Sequence, residues 1–229
     1  LSGVLDGFTS YGTHLFWPIS QERVALNLIS VIDPVFTLIL LAGVIIAFRK
    51  KTKTFARISL FLAGLYLCMG WVQLQRAENM TAFLAQTRGH AIETSIVKPT
   101  LANLILWRSI YEVNGKFYVD AIRVGFFSEP KVYEGETIEK FIPGIHAPRL
   151  PKKSVLADDI ERFTHFSAGY IGIQPERPHL LIDVRYSNLP TSTDPLWAIV
   201  IDLHRPDQHA QYQLFRDASH EIRQKFLAF

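Results

Sequence analysis

Two carboxylates stand out by where the sequence puts them. Asp33 lies inside the apolar run "VALNLISVIDPVFTLILLAGVIIAF", residues 24–48, and is followed at once by Pro34. An ionised side chain in so apolar a run costs a few kcal/mol and ordinarily faces a partner, so it marks a functional or metal-proximal position. A structural role is open as well: Asp33 caps a helix whose first residue is Pro34, where the missing N–H is harmless. Asp6 lies in the opening stretch "LSGVLDGFTSYGTHLFWPIS" and is the lone acid among small and hydroxylated residues. Such a carboxylate is either one wall of a polar site or a helix cap.

No second catalytic signature competes with these positions. The chain has no HExxH, GxSxG, Walker loop or CxxC, and Cys68 is its single cysteine, so no disulfide framework or cysteine metal cage is available. His90, His146, His165, His179, His204, His209 and His220 are scattered singly. The net charge of +3 is modest and forms no basic stripe studded with aromatics, which excludes a nucleic-acid partner.

The elements that carry Asp6 and Asp33 belong to a membrane region. Residues 24–48 would make a helix of about 37 Å, enough for a hydrocarbon core of about 30 Å with some tilt. A second span, "ISLFLAGLYLCMGWVQL" at residues 58–74, would be about 26 Å long, with Trp71 as an interfacial aromatic. Between them "RKKTKTFAR" carries Arg49, Lys50, Lys51, Lys53 and Arg57, and the positive-inside rule makes this loop cytoplasmic. The opening stretch and everything after residue 75 then face the periplasm of a bacterial inner-membrane protein. Counting back from Phe48 puts Asp33 about 22 Å from the cytoplasmic end.

Two regions follow from this reading. Residues 1–75 form an α-helical transmembrane region with two visible spans, and residues 76–229 form a small extracytoplasmic α+β domain, mainly antiparallel. A helix around Arg76–Gln86 joins them. Residues 104–113 and 117–127 are strand-like and meet at Asn114-Gly115, a strong hairpin signal because both turn residues take positive φ. "HLLIDVRYS" and "PLWAIVIDLH" predict two further strands, residues 156–166 and 208–226 predict helices, and "IPGIHAPRLPKK" predicts an irregular loop.

The series "LDGFTSYGTHLFWP", then Arg23, then "IDPVFTLILL" resembles the C-terminal half of the membrane core of the bacterial YdjM-like proteins, regarded as inner-membrane metal-dependent hydrolases. Asp6, Thr9, Tyr11, Gly12, Thr13, Trp17, Pro18, Arg23, Asp33 and Pro34 fall on that family's pattern. In the later part, "NLILWRSIYEVNGKFYV", "FTHFSAGY" and "IDVRYSNLP" resemble the tail of the larger members. The resemblance implies further spans upstream, carrying an "HRxxTHS"-like segment with the other ligands. It also implies a site in which Asp6 is a metal ligand, Thr9 orients the carboxylate or a bound water, and Asp33 is a second ligand or a counter-ion to Arg23. Asp6, Thr9 and Arg23 are thus the implied catalytic residues, and Asp6 and Asp33 the implied metal ligands. His14 falls where the family does not require histidine.

A divalent ion in such a site would lower the pKa of a bound water, and zinc suits a mixed histidine and carboxylate donor set. A phosphoester or lipid-like molecule is the expected substrate, and the lipid bilayer the expected partner. One position departs from the pattern: where the family has a histidine four residues before the aspartate, this chain has Ser2, which cannot replace an imidazole. The alternative expectation is a non-catalytic, membrane-anchored binding or regulatory protein that has lost its metal site.

Overall fold

The computed structural model describes residues 2–20, 22–174, 176–215 and 219–229. A short helix α1 (Ser2–Gly7) opens the chain, and two long helices follow, α2 (Pro34–Lys50) and α3 (Thr54–Thr87). Then come β1 (Thr94–Pro99), β2 (Leu106–Val113), β3 (Lys116–Arg123), β4 (Lys131–Tyr133), β5 (Thr137–Lys140), α4 (Pro143–His146), α5 (Val155–Phe166), β6 (Ile171–Gln174), β7 (Arg177–Asp183), β8 (Trp197–Val200), β9 (Gln211–Leu214) and α6 (His220–Leu227).

The helix expected over residues 24–48 is cut short at its start. It begins only at Pro34, because a residue before proline is driven out of the helical region and Asp33 accordingly sits at φ −117°, ψ 104°. The 17 residues of α2 span about 25 Å. By contrast α3 exceeds its expectation: its 34 residues absorb both the expected second span and the joining helix at Arg76–Gln86. At about 51 Å it is long and apolar enough to cross a membrane, with some 20 Å to spare beyond a 30 Å core. Only residues 51–53 separate the two helices. Lys51 closes α2 in the left-handed conformation, with φ 49°, so the basic turn is tighter than the nine residues expected.

Nine strands among the described residues form one sheet in the order β1-β2-β3-β5-β6-β7-β8-β9, with β4 paired to β3. The registers from β3 through β9 are antiparallel, as expected. Asn114 (φ 50°) and Gly115 (φ 71°) make the predicted turn between β2 and β3. The helix expected over 208–226 is a correction. Gln211–Leu214 pairs with β8 as a strand, Trp197 opposite Leu214, and only His220–Leu227 is helical. The alternation of "QYQL" fits a strand, and the edge of β8 supplies the hydrogen bonds that decide the matter. Inside the expected loop at 142–153, Pro143–His146 forms one helical turn.

The chain divides into two compact units. One comprises Leu1–Leu84, Val97–Arg108 and Ile122–Val132; the other comprises Ala85–Ile96, Ser109–Ala121 and Tyr133–Phe229. In the first unit, Leu28, Leu74, Ala77, Trp107 and Ile122 share one core, and Ile29, Tyr66 and Leu104 another. The second unit packs α5 through Leu156, Ile160 and Phe163 onto Leu181, Trp197 and Ile199 of the sheet. Ser154 starts α5 by accepting from the Ala157 N–H at 3.2 Å.

Candidate functional site

The opening stretch folds back on itself before α2 starts. Gly12 takes φ 66°, and a Cβ there would collide with the Val24 carbonyl, so glycine is required at this turn. Thr13 and Val24 exchange backbone hydrogen bonds of 3.0 and 2.9 Å, while Leu26 and Leu28 donate to the Gly7 and Phe8 carbonyls. Residues 22–33 therefore form a strap rather than a helix. The strap lies against α3: a Cβ on Gly70 would collide with the Leu28 carbonyl.

Within this strap the predicted site residues take distinct positions. Asp6 is exposed, near the end of α1. Thr9 donates its hydroxyl to the Asp6 main-chain carbonyl at 2.8 Å, so it fastens the helix end rather than the Asp6 carboxylate. Arg23 is half-buried, one residue before the Thr13–Val24 pairing.

Asp33 is buried at 4% exposure, and its carboxylate is engaged on both oxygens. Oδ1 accepts from the Phe36 N–H at 3.0 Å, which is a helix cap. The Tyr66 hydroxyl points between the two oxygens, 3.1 Å from Oδ1 and 2.9 Å from Oδ2. Tyr66 is the partner that sequence reasoning missed. Its signal was a hydroxyl in the middle of the apolar stretch "LAGLYLCMG", within reach of an acid that had to be satisfied.

These residues do not amount to a metal centre. Among the described residues no group of three or more histidine, cysteine, aspartate or glutamate side chains is placed to hold an ion. A zinc site needs three or four such donors, and Asp33 is already engaged by a backbone N–H and a phenol. The donor set present in the described residues therefore does not fit the expected ion.

Higher up α3 the polar residues serve irregular chain. Gln73, 2% exposed, donates to the Val124 and Leu104 carbonyls at 2.7 and 3.3 Å. Arg76 donates to the Gln73 side chain and to the carbonyls of Gly125 and Ser128.

In the second unit a dense polar cluster surrounds Arg88. Its guanidinium grips Asp120 with both Nη atoms, at 2.6 and 3.0 Å, and also reaches the Tyr111 hydroxyl at 2.9 Å. His90 Nδ1 lies 3.1 Å from the same hydroxyl, and its ring packs on Tyr118 with centroids 4.4 Å apart. The hydrogen bond to Asp120 pushes Arg88 above its ordinary range, and burial pushes Tyr111 up despite Arg88 beside it. Neither group is tuned to exchange protons near neutrality, so both serve as fixed charge and donor. A cleft of about 210 Å³ lined by Arg177, Ser187, Asn188 and Asp194 is smaller than the ~300 Å³ at which small-molecule sites begin.

Comparison with known proteins bears on the first of these regions. No curated protein and no solved structure matches the chain. Residues 2–77 match the family described as YdjM inner membrane protein, which covers the turn at Gly12, the strap, Asp33 and the hairpin of α2 and α3. The similarity to YdjM inner membrane proteins is confined to that stretch, the same one that carries the motif series.

Proposed function

We propose that this protein is a membrane-anchored binding or regulatory module, held by a two-span hairpin and working through its β-sheet domain on the periplasmic side. The observation that carries this reading is the Asp33 carboxylate, which acts as a helix cap and as the acceptor for Tyr66, a structural use that accounts for its place in the apolar run without an ion. The 25 Å of α2 is short for a 30 Å core, a mismatch that local thinning absorbs at modest cost. Arg49, Lys50, Lys51, Lys53 and Arg57 cluster at the hairpin turn, which supports a cytoplasmic turn. The sheet domain then lies on the opposite side.

The hydrolase reading retains one specific support, the exposed carboxylate of Asp6 within a YdjM-type segment. It requires further ligands beyond Asp6, with zinc the ion suited to them and a phosphoester or lipid-like substrate. Elemental analysis of the detergent-purified protein beside Asp6→Ala separates the two readings. The anchored-module reading expects no stoichiometric zinc or manganese in either preparation. One ion per chain, lost in Asp6→Ala, would overturn it in favour of the hydrolase.

A further inference from the structure

We infer that the hairpin of α2 and α3 holds an anionic phospholipid, with an acyl chain in the groove between the helices and the phosphate at the basic turn. Gly43 lets the helices touch: a Cβ there would collide with the Ser59 side chain. Beside this contact the helices part into a groove of about 470 Å³, lined by Leu38, Ala42, Ile46, Ile58 and Leu62 and almost wholly apolar. The groove is shallow and open along one side, the shape an alkyl chain fills.

Its occupant is specified by charge. Ile46 and Phe55 line the groove where it nears the turn, and Arg49, Lys50, Lys51, Lys53 and Arg57 surround that end, all exposed. No aspartate or glutamate occurs anywhere from residue 34 to residue 77. Five cations at this turn thus have no acid between residues 34 and 77 to neutralise them; Glu78, the one acid of α2 and α3, lies 21 residues beyond Arg57. A phosphate joined to an alkyl chain satisfies both halves of this surface, whereas a zwitterionic headgroup brings its own cation and leaves the charge unbalanced.

This inference rests on membrane insertion of the hairpin, so its test begins there. The full protein is first floated with neutral phosphatidylcholine vesicles; a chain left at the bottom of the gradient overturns insertion and the lipid site with it. Inserted protein is then extracted in mild detergent and offered equal phosphatidylglycerol and phosphatidylcholine, and retained lipid is read by native mass spectrometry. The expected result is phosphatidylglycerol favoured by about tenfold, as several juxtamembrane cations predict. That preference should vanish in Lys51→Gln/Lys53→Gln/Arg57→Gln and in Ala42→Phe, which fills the groove. Leu41→Phe, an exposed position outside the groove lining, should keep it, with helicity by circular dichroism unchanged in all. Equal retention of the two lipids would overturn the site. So would full retention in Ala42→Phe, which would reduce the effect to surface charge alone.

Discussion

The Tyr66 hydroxyl lies 2.9 Å from Oδ2 of Asp33 and 3.1 Å from Oδ1, so a single phenolic proton bridges both oxygens of a buried carboxylate. The same carboxylate caps α2 through the Phe36 N–H. Asp33→Asn keeps the cap, since asparagine ranks with aspartate there, and its side-chain oxygen still accepts from Tyr66. Asp33→Ala removes the cap, at about 0.5–2 kcal/mol, and strands the Tyr66 hydroxyl, at about 1–3 kcal/mol more. Thermal unfolding in detergent should therefore place Asp33→Asn close to the parent and Asp33→Ala well below both. Equal losses would contradict the capping role.

The pair Asp183 and Arg185 is more deeply buried, at 0% and 5% side-chain exposure, and bonded twice, at 2.9 and 2.7 Å. Arg185 also donates to the Phe166 carbonyl at 2.7 Å, tying the end of α5 to the sheet. Arg185→Met should cost about 3–5 kcal/mol, because it leaves a buried charge without compensation. The double variant Asp183→Asn/Arg185→Met should cost less than the sum of the single changes. Denaturant titration followed by tryptophan fluorescence measures both, Trp197 being in the same core.

At Asp120 the geometry of the partner matters as much as its charge. Asp120 is 2% exposed on its side chain, accepts both Nη atoms of Arg88, and takes the Gly135 N–H at 3.1 Å. Arg88→Lys preserves the charge and loses the fork, so it should destabilise by about 1–3 kcal/mol, and Arg88→Ala by about 3–5 kcal/mol. If lysine restores full stability in the same titration, the bidentate contact contributes nothing.

One site predicts a pH dependence. Burial raises Asp159, but the hydrogen bonds from His209 and from the Ala210 N–H outweigh it and hold the carboxyl below its ordinary range. A carboxyl depressed on folding stabilises the folded state above the unfolded pKa of about 4, and that contribution is lost as pH falls through the lower, folded value. Asp159→Asn should cost on the order of 0.5–1 kcal/mol at neutral pH, and its midpoint should fall less steeply than the parent's below about pH 4. Parallel acid limbs in parent and variant would remove Asp159 from the account.

How much of this was legible in the residues differs from element to element. The Asn114-Gly115 hairpin could be read directly, because two consecutive positive-φ positions between β-rich runs leave few alternatives. The hairpin of helices could be read from hydropathy, yet the start of α2 could not be placed by hydropathy alone. "VALNLISVI" is as apolar as a span but is held as a strap by pairing with residues 7–13, a contact between distant segments that periodicity does not encode. The same limit hid β9, which exists because β8 offers it an edge. As for the candidate site, Asp33 announced itself by its cost in an apolar run, whereas Tyr66 was invisible until the two helices were laid side by side.

The order of the strands carries a consequence for how the protein is made. Apart from β4, each strand in the series from β1 to β9 lies beside the one that precedes it along the chain. A sheet of this kind can be laid down one strand at a time, each new strand finding its neighbour already in place. A polypeptide leaves the ribosome in that same order. The domain needs no late segment to return and insert between early ones, so synthesis and folding can proceed together without leaving a vacant central strand exposed to aggregation.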